Sequence, residues 1–203
     1  MKRILKRILS WLLMKVVAHD IENAVLMDCK GRFIKPFHPE CKDIDLEVIA
    51  IALSRIMRFF GQTKLSVAQH SVNMARIFIF VGEIEFAKQA LLHEISEAFM
   101  GDLASPLKKA FPMYKDIEER LIKKAFGCFN LSYPMAVEVH ELDKEIMINE
   151  ALAHMPNAEY WERIGLGIDL CILAEDIADF EPWSSEKAYE EFMATARFLN
   201  LIA

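Results

Sequence analysis

Histidine, glutamate and aspartate recur in this chain at helical spacings inside apolar stretches, and such residues can hold a divalent cation. His70 lies in Ser66-Val67-Ala68-Gln69-His70-Ser71, His93 and Glu94 in Leu91-Leu92-His93-Glu94-Ile95, and Asp143 in Glu141-Leu142-Asp143-Lys144. His70, Met74, Ile77 and Val81 fall at steps of three and four, so His70 faces inward with them. Phe86, Ala90, His93, Glu94 and Glu97 share another stripe, where carboxylates are costly unless they bind something. Val139, Asp143, Ile146, Met147 and Glu150 follow a third. Two imidazoles with two carboxylates form a mixed nitrogen and oxygen donor set. It suits Mn, Fe, Co, Ni or Zn, and Mg less well because of the imidazoles. Taken singly, each residue has a plainer reading. His70 could be a satisfied core histidine, His93 and Glu94 an edge pair, and Asp143 the partner of a lysine.

The elements that must position these residues are helices. Glycine and proline number only 7 each, which disfavours a turn-rich β fold. The spacing predicts an all-α fold with helices from Asp43 to about Phe59-Phe60-Gly61, from Ser66 to Val81, from Ile84 to Met100 and from Tyr114 to Phe126. Tyr133-Pro134 opens another, and Trp183-Ser184-Ser185 caps a last one through Leu199. Asp43 or Asp45 can cap the first. Gly31, Pro36 and Pro39 break helix, so a short hairpin or an extended arm is expected over 25–39. The stretch from Ile164 to Phe180 is apolar and irregular.

With 203 residues, one domain over 25–203 is expected, preceded by a basic amphipathic extension over 1–24. Its apolar run is too short to span a membrane. A helix packed on its own domain and a helix giving weak membrane contact through residues 1–17 both remain open. The net charge of -6 argues against a protein that coats long nucleic acid, whose affinity comes from Lys and Arg. A small phosphorylated substrate needs only a local positive cluster. Cys29, Cys41, Cys128 and Cys171 are scattered, without a C-x-x-C pair, so reduced thiols in a cytoplasmic protein are expected rather than disulfides or a zinc ribbon.

The chain resembles the HD-domain metal-dependent phosphohydrolases, and within them the branch of bacterial 5'-deoxyribonucleotidase-like proteins. The resemblance runs roughly from Leu26 to Leu199. It rests on Gly31-Arg32-Phe33, DIDLEVIAIALS from Asp43 to Ser54, Arg58 to Thr63 and SVAQHS from Ser66. It continues through LLHEISEAFMGDLASPLK from Leu91 to Lys108, Asp143, Glu150 and Pro182-Trp183-Ser184. It implies an HD-domain helical bundle whose metal ligands are His70, His93, Glu94 and Asp143. Glu97 then corresponds to a carboxylate that orients the attacking water, and Asp102 to a loop aspartate on the sugar hydroxyl. Arg58 becomes the phosphate clamp, with Arg55 as competitor and Lys108 assisting. The implied activity is hydrolysis of a nucleoside 5'-monophosphate, preferably a deoxyribonucleotide, or of a similar phosphate ester. One divalent cation serves as cofactor, and a homodimer is among the implied assemblies. The family's pair is His-Asp, whereas position 94 is glutamate; Gln62 and Ile51 stand where the branch often has histidine. A non-catalytic or weakly active binding module on the same fold is therefore the alternative.

Overall fold

Asp45 starts the first long helix. Its carboxylate accepts from the backbone N–H groups of Glu47 and Val48, at 3.1 and 3.3 Å, two donors that α1 (Leu46–Leu53) cannot satisfy internally. Ser66 does the same for α2 (Val67–Phe80) through Gln69 N–H, and Ser184 for a helix over Ser185–Phe198 through Lys187 N–H. The computed structural model describes residues 23–165 and 177–202. The basic segment 1–17 and most of the apolar stretch 164–180 lie outside them. Between α2 and the last helix run α3 (Ile84–Leu92), α4 (Glu97–Met100), α5 (Ser105–Lys108), α6 (Pro112–Cys128), α7 (Val137–His154) and α8 (Ala158–Gly165); Ser185–Phe198 is α9. The fold is all-α, as the spacing predicts. Among the described residues its sheet is one small hairpin, β1 (Leu26–Met27) antiparallel to β2 (Phe33–Ile34), so the expected hairpin near 25–39 is present. No described helix is long and apolar enough to cross a membrane.

Helix α2 is the axle. It packs against α1, α3, α7 and α9, and every residue from Val67 to Ala75 is buried. Ile49, Leu53, Met74, Leu91, Leu92, Ile95, Ile146 and Phe192 fill the core around it. The spacing predicts one buried face for α2; from Val67 to Ala75 the whole circumference is buried. Its polar Gln69 and Asn73 are therefore buried as well, and both find backbone partners in the segment before α9. Gln69 Nε2 donates to the carbonyls of Asp179 and Glu181, and its Oε1 accepts from Trp183 N–H. Asn73 exchanges two hydrogen bonds with the Asp179 backbone. Val81, expected on the inner stripe, lies past the helix end and is exposed.

Several boundaries differ from expectation for local reasons. Helix α1 stops at Leu53, where Ser54 Oγ donates back to the Ile51 carbonyl. Beyond it the chain pairs like a strand: Val67 N–H donates to Ile56 O and Arg58 N–H to Leu65 O, which holds Arg58 beside the start of α2. Phe59 and Phe60 then take left-handed backbone, with φ of 54° and 47°. The helix expected from Ile84 to Met100 breaks after Leu92. His93 Nδ1 lies 2.6 Å from the Ala90 carbonyl, the acceptor that Glu94 N–H would use in an unbroken helix. Tight i to i−3 bonds follow, from Ile95 to Leu92 and from Glu97 to Glu94. Pro134 does not open α7. It follows a cis bond to Tyr133, and α7 begins at Val137 after Ala136 donates its N–H to Gln89 Oε1.

The expectation of reduced thiols is overturned. Cys41 and Cys128 form a disulfide across 87 residues of sequence, joining the short 3-10 turn Cys41–Asp43 to the end of α6. Spacing could not reveal this pair, because only the packing of α6 brings the two together. Cys29 is a free, exposed thiol, and Cys171 lies outside the described residues.

Candidate metal centre

Three helical segments deliver the donors. His70 projects from the second turn of α2, His93 and Glu94 from the tightened turn after α3, and Asp143 from the middle of α7. One ligand atom from each of the four lies within 4.8 Å of all the others. His70 Nε2 is 3.3 Å from His93 Nε2 and 3.2 Å from Asp143 Oδ1. His93 Nε2 is 3.8 Å from Asp143 Oδ1 and 3.6 Å from Glu94 Oε1. Both imidazoles are buried, while Glu94 and Asp143 are half-buried and lead outward.

The far sides of the two rings are anchored. His70 Nδ1 lies 2.8 Å from Glu150 Oε1, and His93 Nδ1 points at the Ala90 carbonyl. An Nδ1–H donated to a carboxylate or carbonyl leaves Nε2 as the lone-pair nitrogen, the arrangement that orients metal-ligating histidines. Two such lone pairs 3.3 Å apart repel unless a proton or a cation lies near both. Without a cation a proton takes that place, in keeping with the raised His70 imidazole; the two nitrogens and two carboxylate oxygens that converge here also suit a divalent ion.

Charge is heavily concentrated around this point. Burial and the Arg58 guanidinium push the His70 imidazole down, but Glu150 and Asp143 outweigh them and raise it to about 9. Burial would raise the Asp143 carboxyl, yet the two imidazoles hold it well below the usual carboxylate range. Glu150, fully buried at the floor, is likewise lowered by Arg58 and His70 against its burial. Arg58 Nε sits 2.6 Å from Glu150 Oε2, a charge contact whose angle is not that of a hydrogen bond. Arg58 NH1 is 3.9 Å from Glu94 Oε1.

The other predicted residues ring this centre. Glu97 is buried, its Oε1 lies 3.4 Å from Lys108 Nζ, and its Oε2 has no hydrogen-bond partner among the described residues. Burial, reinforced by Glu94 and Asp102, raises its carboxyl to about 9 against the pull of Lys108 and Arg58. Lys108 is itself raised, because Glu94, Glu118 and Glu97 outweigh its burial, and it bonds Glu118 at 2.6 Å. Asp102 Oδ2 accepts from Phe60 N–H at 3.3 Å and so ties its loop to the left-handed Phe59–Phe60 turn. Arg55 is not in the cluster. It lines a groove with Ile51, Ala98 and Phe99 under the hairpin.

One contributor to the centre, and one tertiary contact beside Arg58, are not given by the sequence reading. The helical period puts Glu150 on the Asp143 face, seven residues and two turns along α7, but spacing alone assigns it no role. The Phe59 ring meets Trp161 edge to face at 5.8 Å, a contact between distant segments that no local pattern carries.

No protein-family model matches the chain. It is 39% identical over 90 residues to the uncharacterized protein YfdR of Escherichia coli (strain K12), a match covering 42% of this chain and 48% of that protein. It is 34% identical over 100 residues to the uncharacterized protein RCAP_rcc00048 of Rhodobacter capsulatus, covering 45% of this chain and 50% of that one. The chain thus spans about half the length of the curated relatives it matches.

Proposed function

We propose that this protein is a divalent-metal-dependent phosphohydrolase of the HD-domain kind. Its substrate in this reading is a nucleoside 5'-monophosphate, preferably a deoxyribonucleotide, or a similar small phosphate ester. The observation that carries the reading is the pair of inward Nε2 atoms, each ring anchored through Nδ1, converging with Glu94 and Asp143 within 4.8 Å. A bound divalent ion supplies a water of lowered pKa and polarises a phosphoryl oxygen.

The chain's own residues divide the remaining work. Glu97 is the proposed proton-transfer residue: burial beside Glu94 and Asp102 raises its carboxyl to about 9, so at neutral pH it holds a proton unless positive charge at the centre draws it back, and it accepts one only when that charge is present. Lys108 holds the Glu97 carboxylate and adds positive charge at the same mouth. Arg58 has its Nε edge committed to Glu150, so a phosphate would meet the outer end of its guanidinium. Asp102, half-buried in its loop, is the candidate for a sugar hydroxyl. The cytoplasm is the expected location for such an enzyme; the Cys41–Cys128 disulfide is the feature that pulls toward an oxidising one. A homodimer belongs to the same proposal, as does membrane contact through residues 1–17.

The second reading, a non-catalytic module, draws on Glu94. It replaces the family's aspartate with a side chain one methylene longer, and misplacement of about 1 Å can cost about 10²-fold in rate. Metal analysis of protein purified without chelator, followed by phosphate release from a panel of 5'-, 3'- and deoxynucleotides with Mn or Co, tests both. About one ion per chain with release from 5'-nucleotides is expected. Metal without release from any of them would favour the module, and no metal would end the hydrolase reading.

A further inference from the structure

A second concave site lies on the disulfide side of α6. It is a cavity of about 570 Å³, within the ~300–1,000 Å³ that small-molecule sites occupy. One wall is a single face of α6: Arg120, Lys123 and Lys124 recur at steps of three and four, with Cys128 a turn below. The other wall is the segment carrying Phe37 and His38. The Cys41–Cys128 disulfide staples the two walls together.

The charge here runs against that of the whole chain. Net charge is -6, yet this cavity is lined by three permanent cations and a histidine, and by no carboxylate. Among the described residues, Arg120, Lys123 and Lys124 have no carboxylate within ion-pair distance. Glu40, on the neighbouring turn, feels Lys124 but is bound by Lys42 at 2.8 Å. Lys123 Nζ lies over the Tyr133 ring at 5.8 Å. Grouped cations repel one another and are stable together when an anion sits among them. A phosphate chain meets that demand, and Phe37 and His38 offer ring surface beside it.

We propose that this cavity binds a nucleotide polyphosphate, its phosphates on Arg120, Lys123 and Lys124 and its base against Phe37 and His38. The site is separate from the metal centre, and it stands or falls independently of the hydrolase reading.

The test is equilibrium titration of the oxidised full chain with ATP and with inorganic triphosphate, in EDTA so that neither is hydrolysed. Three proteins are compared: the native chain, K123A/K124A and C41S/C128S. All the altered side chains lie outside the metal cluster, so circular dichroism and metal loading serve as folding controls. ATP should bind the native chain, and K123A/K124A should weaken it about tenfold or more. Inorganic triphosphate should bind about tenfold less tightly than ATP, because it lacks a ring to stack. The cysteine variant should also lose affinity although every cation remains, because the walls are no longer joined. The proposal is overturned if ATP does not bind the native chain or if the lysine variant binds it equally well. Full affinity in C41S/C128S would also overturn it, since diffuse surface charge would then explain the binding. Equal binding of triphosphate and ATP would remove the base from the site.

Discussion

Helix α2 buries polar side chains in two directions, and the two groups are treated differently. Gln69 and Asn73 give every amide atom to the backbone at Asp179, Glu181 and Trp183. His70, one residue after Gln69, satisfies only its Nδ1 in this way, through Glu150. Its Nε2 is left facing another imidazole nitrogen and a carboxylate. Burial alone therefore does not mark function. A buried polar group whose bonds close within the protein stabilises the fold, whereas one whose free atom converges with other donors implies something to hold.

The sharpest way to break that contrast is to remove a converging donor. His70→Ala or Asp143→Ala should reduce bound divalent metal from about one per chain to background, an affinity loss of more than about 100-fold, read by elemental analysis after dialysis. Unchanged metal content in both would show that the cluster is ordinary packing. On the other side of the helix, Gln69→Leu should cost about 1–3 kcal/mol or more in urea unfolding, because it strips partners from buried backbone groups. The folded fraction should still load metal. If Gln69→Leu lost metal as completely as His70→Ala, the two directions would not be distinct.

Glu150→Gln occupies the middle ground. It keeps the side-chain volume but weakens the anchor of the His70 ring and leaves Arg58 short of its closest carboxylate, so metal affinity should fall about 10–100-fold. Titration with Mn or Zn reads this directly, and a change under threefold would mean that Glu150 serves only as the counter-ion of Arg58. The smallest effect is expected at position 94. Glu94→Asp should leave phosphate release equal or raise it a few fold, since it restores the shorter carboxylate of the resembled family. A collapse of metal binding in that variant would mean that the broken turn after Leu92 has adapted to glutamate.

Much of this was readable in one dimension. The stripes through His70, His93 and Asp143 were visible because helical period turns spacing into a face, and apart from Val81, past the end of its helix, each face is buried or half-buried. The cap at Ser184 was legible for the same local reason, Asp45 was one of two candidates, and the start near Ser66 was visible without its cap being named. The break after Leu92 was not, since it comes with a ring nitrogen taking a carbonyl that the helix would otherwise use. Nor was the disulfide, whose cysteines are 87 residues apart.

The residues by themselves determined that this chain would be helical and which side chains would turn inward, because both follow from interactions within a turn or two of the backbone. Tertiary structure decided which of those inward groups would meet. It set two Nε2 atoms 3.3 Å apart, anchored one ring on a carboxylate seven residues beyond Asp143, and closed the cationic face of α6 against Phe37. Such meetings depend on how helices cross, and a crossing is set by the whole core rather than by any segment of the sequence.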